Sequence, residues 1–92
     1  MSNYAWLITT DHTDSGEGDA GVMGPKGHKM TEGYIAAKGK LFRMYDDDNI
    51  LYYTGFYVGD GDGFEPLDDF GMPGAGCTAI KYKQPSGKWE TL

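Results

Sequence analysis

The chain has 92 residues, which suffice for one hydrophobic core and leave no room for a second. Fourteen acidic and eight basic residues give a formal net charge of −6, and this excess of acid argues against a general nucleic-acid binder, which needs a basic surface to displace counterions. The single cysteine excludes an internal disulfide, and no apolar run approaches the ~18 residues of a membrane helix. We therefore expect one acidic domain in a reducing compartment, the cytoplasm.

The first half of the chain predicts a strand, a long loop and a short helix. Residues 4–9 are aromatic and β-branched and are apolar at nearly every position, which predicts a central strand covered on both faces. Residues 11–27 are rich in Gly, Asp and Ser and predict a loop. Thr31 is a suitable N-cap for a helix that ends at Lys38, with Gly39 as its stop.

The second half predicts four strands and a second long loop. Residues 40–45 and 50–58 read as strands, and the turn formers between them predict a hairpin. Gly55 marks a bulge or a close backbone approach. Residues 59–76 predict an acidic loop with apolar side chains that folds back over the sheet edge, and residues 77–83 and 88–92 predict the last two strands.

These elements predict an α+β fold for a single domain over residues 1–92. We expect a twisted antiparallel sheet of four to five strands with one short helix packed against it. The acids lie mostly in the predicted loops and the bases on the helix and strands, which predicts acidic loop ends and a more basic sheet face. The expected core residues are Trp6, Ile8, Phe42, Met44, Ile50, Tyr52, Phe56, Ile80, Tyr82 and Trp89.

Three motifs leave chemistry open as an alternative to binding. Residues 16–21 match the spacing of a dinucleotide-binding loop, but no helix pattern follows them. Clustered acids such as Asp60 and Asp62 resemble the start of a calcium loop, although the later ligand positions fail, which leaves an acidic metal-stabilised interaction module. Cys77 follows a glycine-rich turn and would be a nucleophile if His12 or His28 lay beside it.

Several segments together resemble a family of small proteins found in bacteria, their phages and mobile elements. The resemblance covers nearly the whole chain, and its most specific part is the block at residues 66–78, PLDDFGMPGAGCT. Position 74 is Gly where the family would have Asn, and both residues tolerate a positive φ. The resemblance supplies no catalytic residue. The other segments that carry it are residues 6–9, 42–48, 51–53 and 64–65.

Small acidic proteins of this origin resemble phage-encoded inhibitors of host defence, including anti-CRISPR proteins. The resemblance implies a non-enzymatic protein, without cofactor, that binds a host protein or ribonucleoprotein complex such as a CRISPR surveillance complex and blocks target-DNA binding or nuclease recruitment. It implies a contact to guide RNA as an option, and neither membrane nor direct duplex-DNA binding. The residues expected to contact the partner are Asp46, Asp47, Asp48, Asp60, Asp62, Glu65, Lys26, Lys29 and Arg43.

Overall fold

The structure, a computed structural model, describes residues 4–13, 18–59 and 61–92. In this part of the chain six strands form one antiparallel sheet, which confirms the predicted α+β class with one or two strands more than expected. The order across the sheet is β2-β1-β4-β3-β5-β6. The strands are β1 (Ala5–Asp11), β2 (Met23–Gly24), β3 (Lys40–Tyr45), β4 (Leu51–Val58), β5 (Ala79–Lys83) and β6 (Trp89–Thr91).

The strand not expected from the sequence is β2, which lies inside the predicted loop 11–27. It is only two residues long and pairs with β1, where Trp6 faces Gly24. A side chain at Gly24 would collide with the Trp6 ring, so glycine allows β2 to lie flat against the indole. A strand of two residues is too short to show an alternating sequence pattern. It forms because it pairs with β1.

One face of the sheet, here called the front face, carries the larger core. Alternate residues of the strands project there, because successive side chains of a strand point to opposite faces. A helical segment packs over them, made of a π-helical turn (Leu67–Gly71) and helix α2 (Met72–Ala75), and we call it the helical cover. The buried residues of this core are Trp6, Ile8, Phe42, Met44, Tyr53, Tyr57, Leu67, Cys77, Ile80 and Tyr82.

The helical cover corrects the prediction of a loop over residues 59–76. Two prolines and three glycines within residues 66–76 give the segment low helix propensity, and Pro73 has no N–H to continue a regular ladder. The turn before it is widened instead, with Met72 N–H bonded to the Leu67 carbonyl. Burial of Leu67 against the front face supplies the stability that propensity does not.

The opposite face, here called the back face, is covered over only part of its width. Helix α1 (Glu32–Lys38) contacts β1 and β4, and its Ile35 packs into a small core with Ala5 and Leu7. The Thr31 hydroxyl accepts the Tyr34 N–H, as expected of an N-cap. The helix ends at Gly39, which is not left-handed: a Cβ there would crowd Phe56 and collide with the Ile35 carbonyl.

The predicted core is right in β1, β3 and β5 and partly wrong in β4 and β6. Ile50 is 54 % exposed, and Trp89 is half-buried on the back face. Tyr53 and Tyr57 are fully buried in the front core, whereas Phe56 joins the smaller back core. Nearly every residue of β4 is apolar, so alternation alone does not assign its two faces.

Gly55 confirms the predicted close approach in the middle of β4. A Cβ there would collide with the Leu7 carbonyl and stand 2.8 Å from Phe42 Cζ. The ladder between β1 and β4 shifts register at the same place, where Ile8 faces Gly55 and Thr10 faces Thr54. The bulge and the close approach thus occur at the same point of β4.

Candidate partner-binding groove

A groove with a volume of about 470 Å³ opens at the end of the sheet where β4 finishes. It lies beside the start of the helical cover and combines aromatic walls with a cluster of carboxylates. Such a lining suits a positively charged ligand that also has a flat or an aliphatic part. The lining residues are Tyr4, Tyr57, Asp62, Gly63, Phe64, Glu65 and Asp68.

The aromatic wall is built by the pairing of β1 with β4. Trp6 faces Tyr57 across the ladder, and Tyr4 lies two residues before Trp6, so all three rings share the front face. The Tyr4 and Tyr57 ring centroids are 6.1 Å apart with a tilt of 48°. Tyr57 is buried, while Phe64 on the far side is 49 % exposed. The groove therefore has one rigid wall and one open rim.

The bottom of the groove is fixed by a hydrogen bond from the sheet. The buried Tyr82 hydroxyl donates to the Gly63 carbonyl at 2.7 Å, which ties the acidic segment to β5. Burial raises the pKa of Tyr82, so it stays a neutral donor. The Asp68 N–H donates to the Phe64 carbonyl at 2.8 Å and starts the helical cover directly behind the rim.

Two of the nearby carboxylates already have partners within the chain. Lys40 Nζ lies 2.7 Å from Asp62 Oδ1, and Gln84 donates to the other oxygen at 3.1 Å. Asp69 accepts from the Tyr4 hydroxyl at 2.9 Å and from the Trp6 indole at 3.1 Å. Burial and this bond to Asp69 raise the pKa of Tyr4. Asp62 is thus paired with Lys40, whereas Asp69 accepts hydrogen bonds from two aromatic side chains and orients the wall.

The remaining two carboxylates, Glu65 and Asp68, give the groove its negative charge. Between described residues, the one ion pair is Lys40–Asp62, so neither Glu65 nor Asp68 is balanced by a described base. These two carboxylates lie beside the aromatic wall, and acids next to rings are an arrangement that attracts a guanidinium or ammonium group.

The expected acidic contacts do not form one surface. Asp46, Asp47 and Asp48 lie in the turn between β3 and β4, next to the Tyr45–Leu51 pair, whereas the groove lies beyond the Lys40–Tyr57 pair. Six residues of β4 at ~3.3 Å each separate the two ends by roughly 20 Å. The acids at residues 46–48 and those of the groove therefore lie at opposite ends of the sheet, because the turns before and after β4 fall at its two ends.

In this turn the carboxylate of Asp46 stabilises the turn itself. Asp46 Oδ1 accepts the N–H groups of Asp48 and Ile50, both at 2.9 Å. These bonds, that of Ile50 foremost, hold the pKa of Asp46 below its ordinary value. Asn49 adopts φ 61°, a left-handed conformation that Asn tolerates. Asp46 is thus hydrogen-bonded to the backbone of its own turn. Of the three acids in this turn, Asp47 and Asp48 are the exposed ones.

The other expected contacts are spread further. Asp62 and Glu65 line the groove, and Arg43 lies on the back face with its guanidinium 4.3 Å from the Trp89 ring centroid. Lys26 and Lys29 lie between β2 and α1. Asp60 and residues 14–17 lie outside the described residues, and so does part of the glycine motif at 16–21.

The features of Cys77 are the reverse of those that activate a thiol. It is fully buried in the front core, and burial, reinforced by Asp46, raises the pKa of its thiol to about 11. His12 bonds Thr54, on the back side of β4, and His28 accepts the Met30 N–H beside the back core. Neither histidine has a hydrogen bond to the thiol, so nothing in the described chain favours the alternative of a Cys77 nucleophile.

The described residues also lack a cluster of three or more His, Cys, Asp or Glu side chains able to hold a metal ion. None of the helices in the described ranges has the length and hydropathy needed to cross a bilayer. Comparison with protein-family models, curated proteins and solved structures finds no match for the chain. The resemblance to phage inhibitors therefore stays a prediction.

Of the seven residues that line the groove, only Asp62 and Glu65 were among the contacts expected from the sequence. Tyr4 and Asp68 were not expected at a site, although the alternation of Tyr4, Trp6 and Ile8 places these three on one face. Recognising the groove requires knowing that β1 pairs with β4, which are more than forty residues apart in the chain. A single sequence carries no indication of that pairing.

Proposed function

We propose that this protein is a non-enzymatic binding protein whose groove takes a basic side chain of a macromolecular partner. The observation that carries the proposal is the placement of Glu65 and Asp68, unbalanced by any described base, beside the wall formed by Tyr4 and Tyr57. An arginine fits this lining best, because its planar guanidinium stacks on a ring and donates to carboxylates at the same time.

The partner class we propose is a nucleoprotein complex of host defence, with a CRISPR surveillance complex as the first candidate. Such a complex holds nucleic acid in a channel of positive charge. An acidic groove that engages one of the channel arginines would compete with the phosphate backbone of target DNA, and complementary charge would speed the encounter. Inhibition by occupation of the channel needs no chemistry from the inhibitor.

The experiment titrates the protein against a purified effector–guide complex and measures the affinity of that complex for labelled target DNA. We expect the apparent DNA affinity to fall by at least tenfold at saturating protein. Unchanged DNA affinity at large molar excess would remove this partner class. Binding to the complex without loss of DNA affinity would leave nuclease recruitment as the blocked step.

A matched pair of variants tests whether the groove is responsible. Glu65→Gln/Asp68→Asn and Asp47→Asn/Asp48→Asn each remove two negative charges from exposed or half-exposed positions, so they change the net charge equally. We expect the groove variant to weaken binding at least tenfold and the turn variant to change it less than twofold. Equal losses would mean that total charge matters and the groove does not.

A further inference from the structure

The back face beyond α1 is basic and aromatic, although the protein as a whole is acidic. Arg43 of β3 pairs with Lys81 of β5 in the ladder, and Lys83 faces Trp89 of β6 in the next. Alternation places Tyr45 on the same side. We call this set the basic face, and it comprises Arg43, Tyr45, Lys81, Lys83 and Trp89.

The cations of the basic face rest on rings and not on carboxylates. The Arg43 guanidinium carbon lies 4.3 Å from the Trp89 centroid, and Lys81 Nζ lies 4.6 Å from the Tyr45 centroid. None of the three bases forms an ion pair with a described residue. Arg43 Nε is buried without a hydrogen-bond partner in the described chain, so the guanidinium is held by its packing on the Trp89 ring and not by a carboxylate.

We propose that the basic face binds single-stranded nucleic acid. Arg43, Lys81 and Lys83 lie on two adjacent strands and offer cations to the phosphates of a short strand. The half-buried Tyr45 and Trp89 rings lie beside these cations and are side chains on which bases can stack. The half-buried rings and the exposed Lys83 leave this face open to a ligand. Charge complementarity selects an anionic partner, and the planar groups favour one that carries bases.

The net charge of −6 does not exclude this site but limits its affinity. At physiological salt, charges more than ~8 Å away are largely screened, so the three local bases dominate at the face. Neutralisation of about three phosphates of a single strand predicts a slope of roughly −2 for the logarithm of the binding constant against that of salt. Affinity should therefore fall about fourfold for each doubling of the salt concentration.

The test measures fluorescence anisotropy of a labelled ten-nucleotide oligouridylate, with a duplex of the same length as competitor. We expect saturable binding with the salt dependence above and weaker competition by the duplex. Lys81→Glu should weaken binding at least tenfold. Lys38→Glu, an equal charge reversal at an exposed position of α1, should change it less than twofold.

Stacking and the independence of the groove are tested with two further variants. Tyr45→Leu, which keeps a hydrophobic side chain at a half-buried position, should weaken binding about fivefold or more if bases stack there. Glu65→Gln/Asp68→Asn should leave oligonucleotide binding intact, so failure of the groove proposal and failure of this one are distinguishable. Absence of binding at 25 mM salt, equal effects of Lys81→Glu and Lys38→Glu, or stronger binding of a hexaglutamate peptide would overturn the proposal.

Discussion

Two acidic regions lie at opposite ends of β4, and their carboxylates have different surroundings. In the turn at residues 46–49, Asp46 binds two backbone N–H groups of its own loop. In the groove, Glu65 and Asp68 form no ion pair with a described base and lie next to aromatic rings. The difference is what surrounds each carboxylate: backbone donors close a turn, whereas aromatic rings and acids that form no ion pair with a described base line the groove proposed to bind a partner.

Strand β4 separates the two acidic regions, and we expect the largest effect on stability from a substitution within it. Gly55→Ala places a methyl group against the Leu7 carbonyl and Phe42, which should lower the free energy of unfolding by about 3 kcal/mol. Urea denaturation measures the change. Gly33→Ala is the control, because nothing lies within 4 Å of its Cβ, and it should raise stability by roughly 0.5–1 kcal/mol. Equal effects of the two substitutions on stability would show that β4 is not closely packed against Leu7 and Phe42 at Gly55.

A smaller effect should follow from loosening the groove alone. Tyr82→Phe removes the hydroxyl that donates to the Gly63 carbonyl, and we expect a loss of about 1–2 kcal/mol of unfolding free energy because the carbonyl loses its partner. Tyr34→Phe, at a tyrosine that is 49 % exposed, should stay within about 0.5 kcal/mol of the parent. A Tyr82→Phe protein of unchanged stability would mean that the sheet does not fix the groove.

The smallest effect concerns the turn and its pH dependence. The folded pKa of Asp46 is lowered, chiefly by the Ile50 N–H bond, so its carboxylate stabilises the fold above its ordinary pKa and this contribution is lost as pH falls through the lowered folded value. Urea denaturation at pH 6 and pH 3 should show a smaller acid loss for Asp46→Asn than for the parent. The same loss in both proteins would contradict the role of Asp46 in the turn.

The sequence predicts the strands well and the site poorly, for reasons visible in particular residues. Strand β3 has the predicted bounds, and α1 begins one residue after its predicted Thr31 cap, because periodicity and capping are local. The helical cover was missed because Leu67 and Phe70 are stabilised by packing on distant strands. Most of the groove was missed for the same reason: Tyr4 meets Tyr57 only through strand pairing.

The most direct test of the central claim locates a bound cation on the molecule. Addition of a hexa-arginine peptide should shift the backbone amide NMR signals of Gly63, Phe64 and Asp68, and should leave those of Asp47 and Asp48 nearly unchanged. Glu65→Gln/Asp68→Asn should abolish the groove shifts. If the turn amides shift as much as the groove amides, or if they alone shift, the groove is not the site where this protein recognises positive charge.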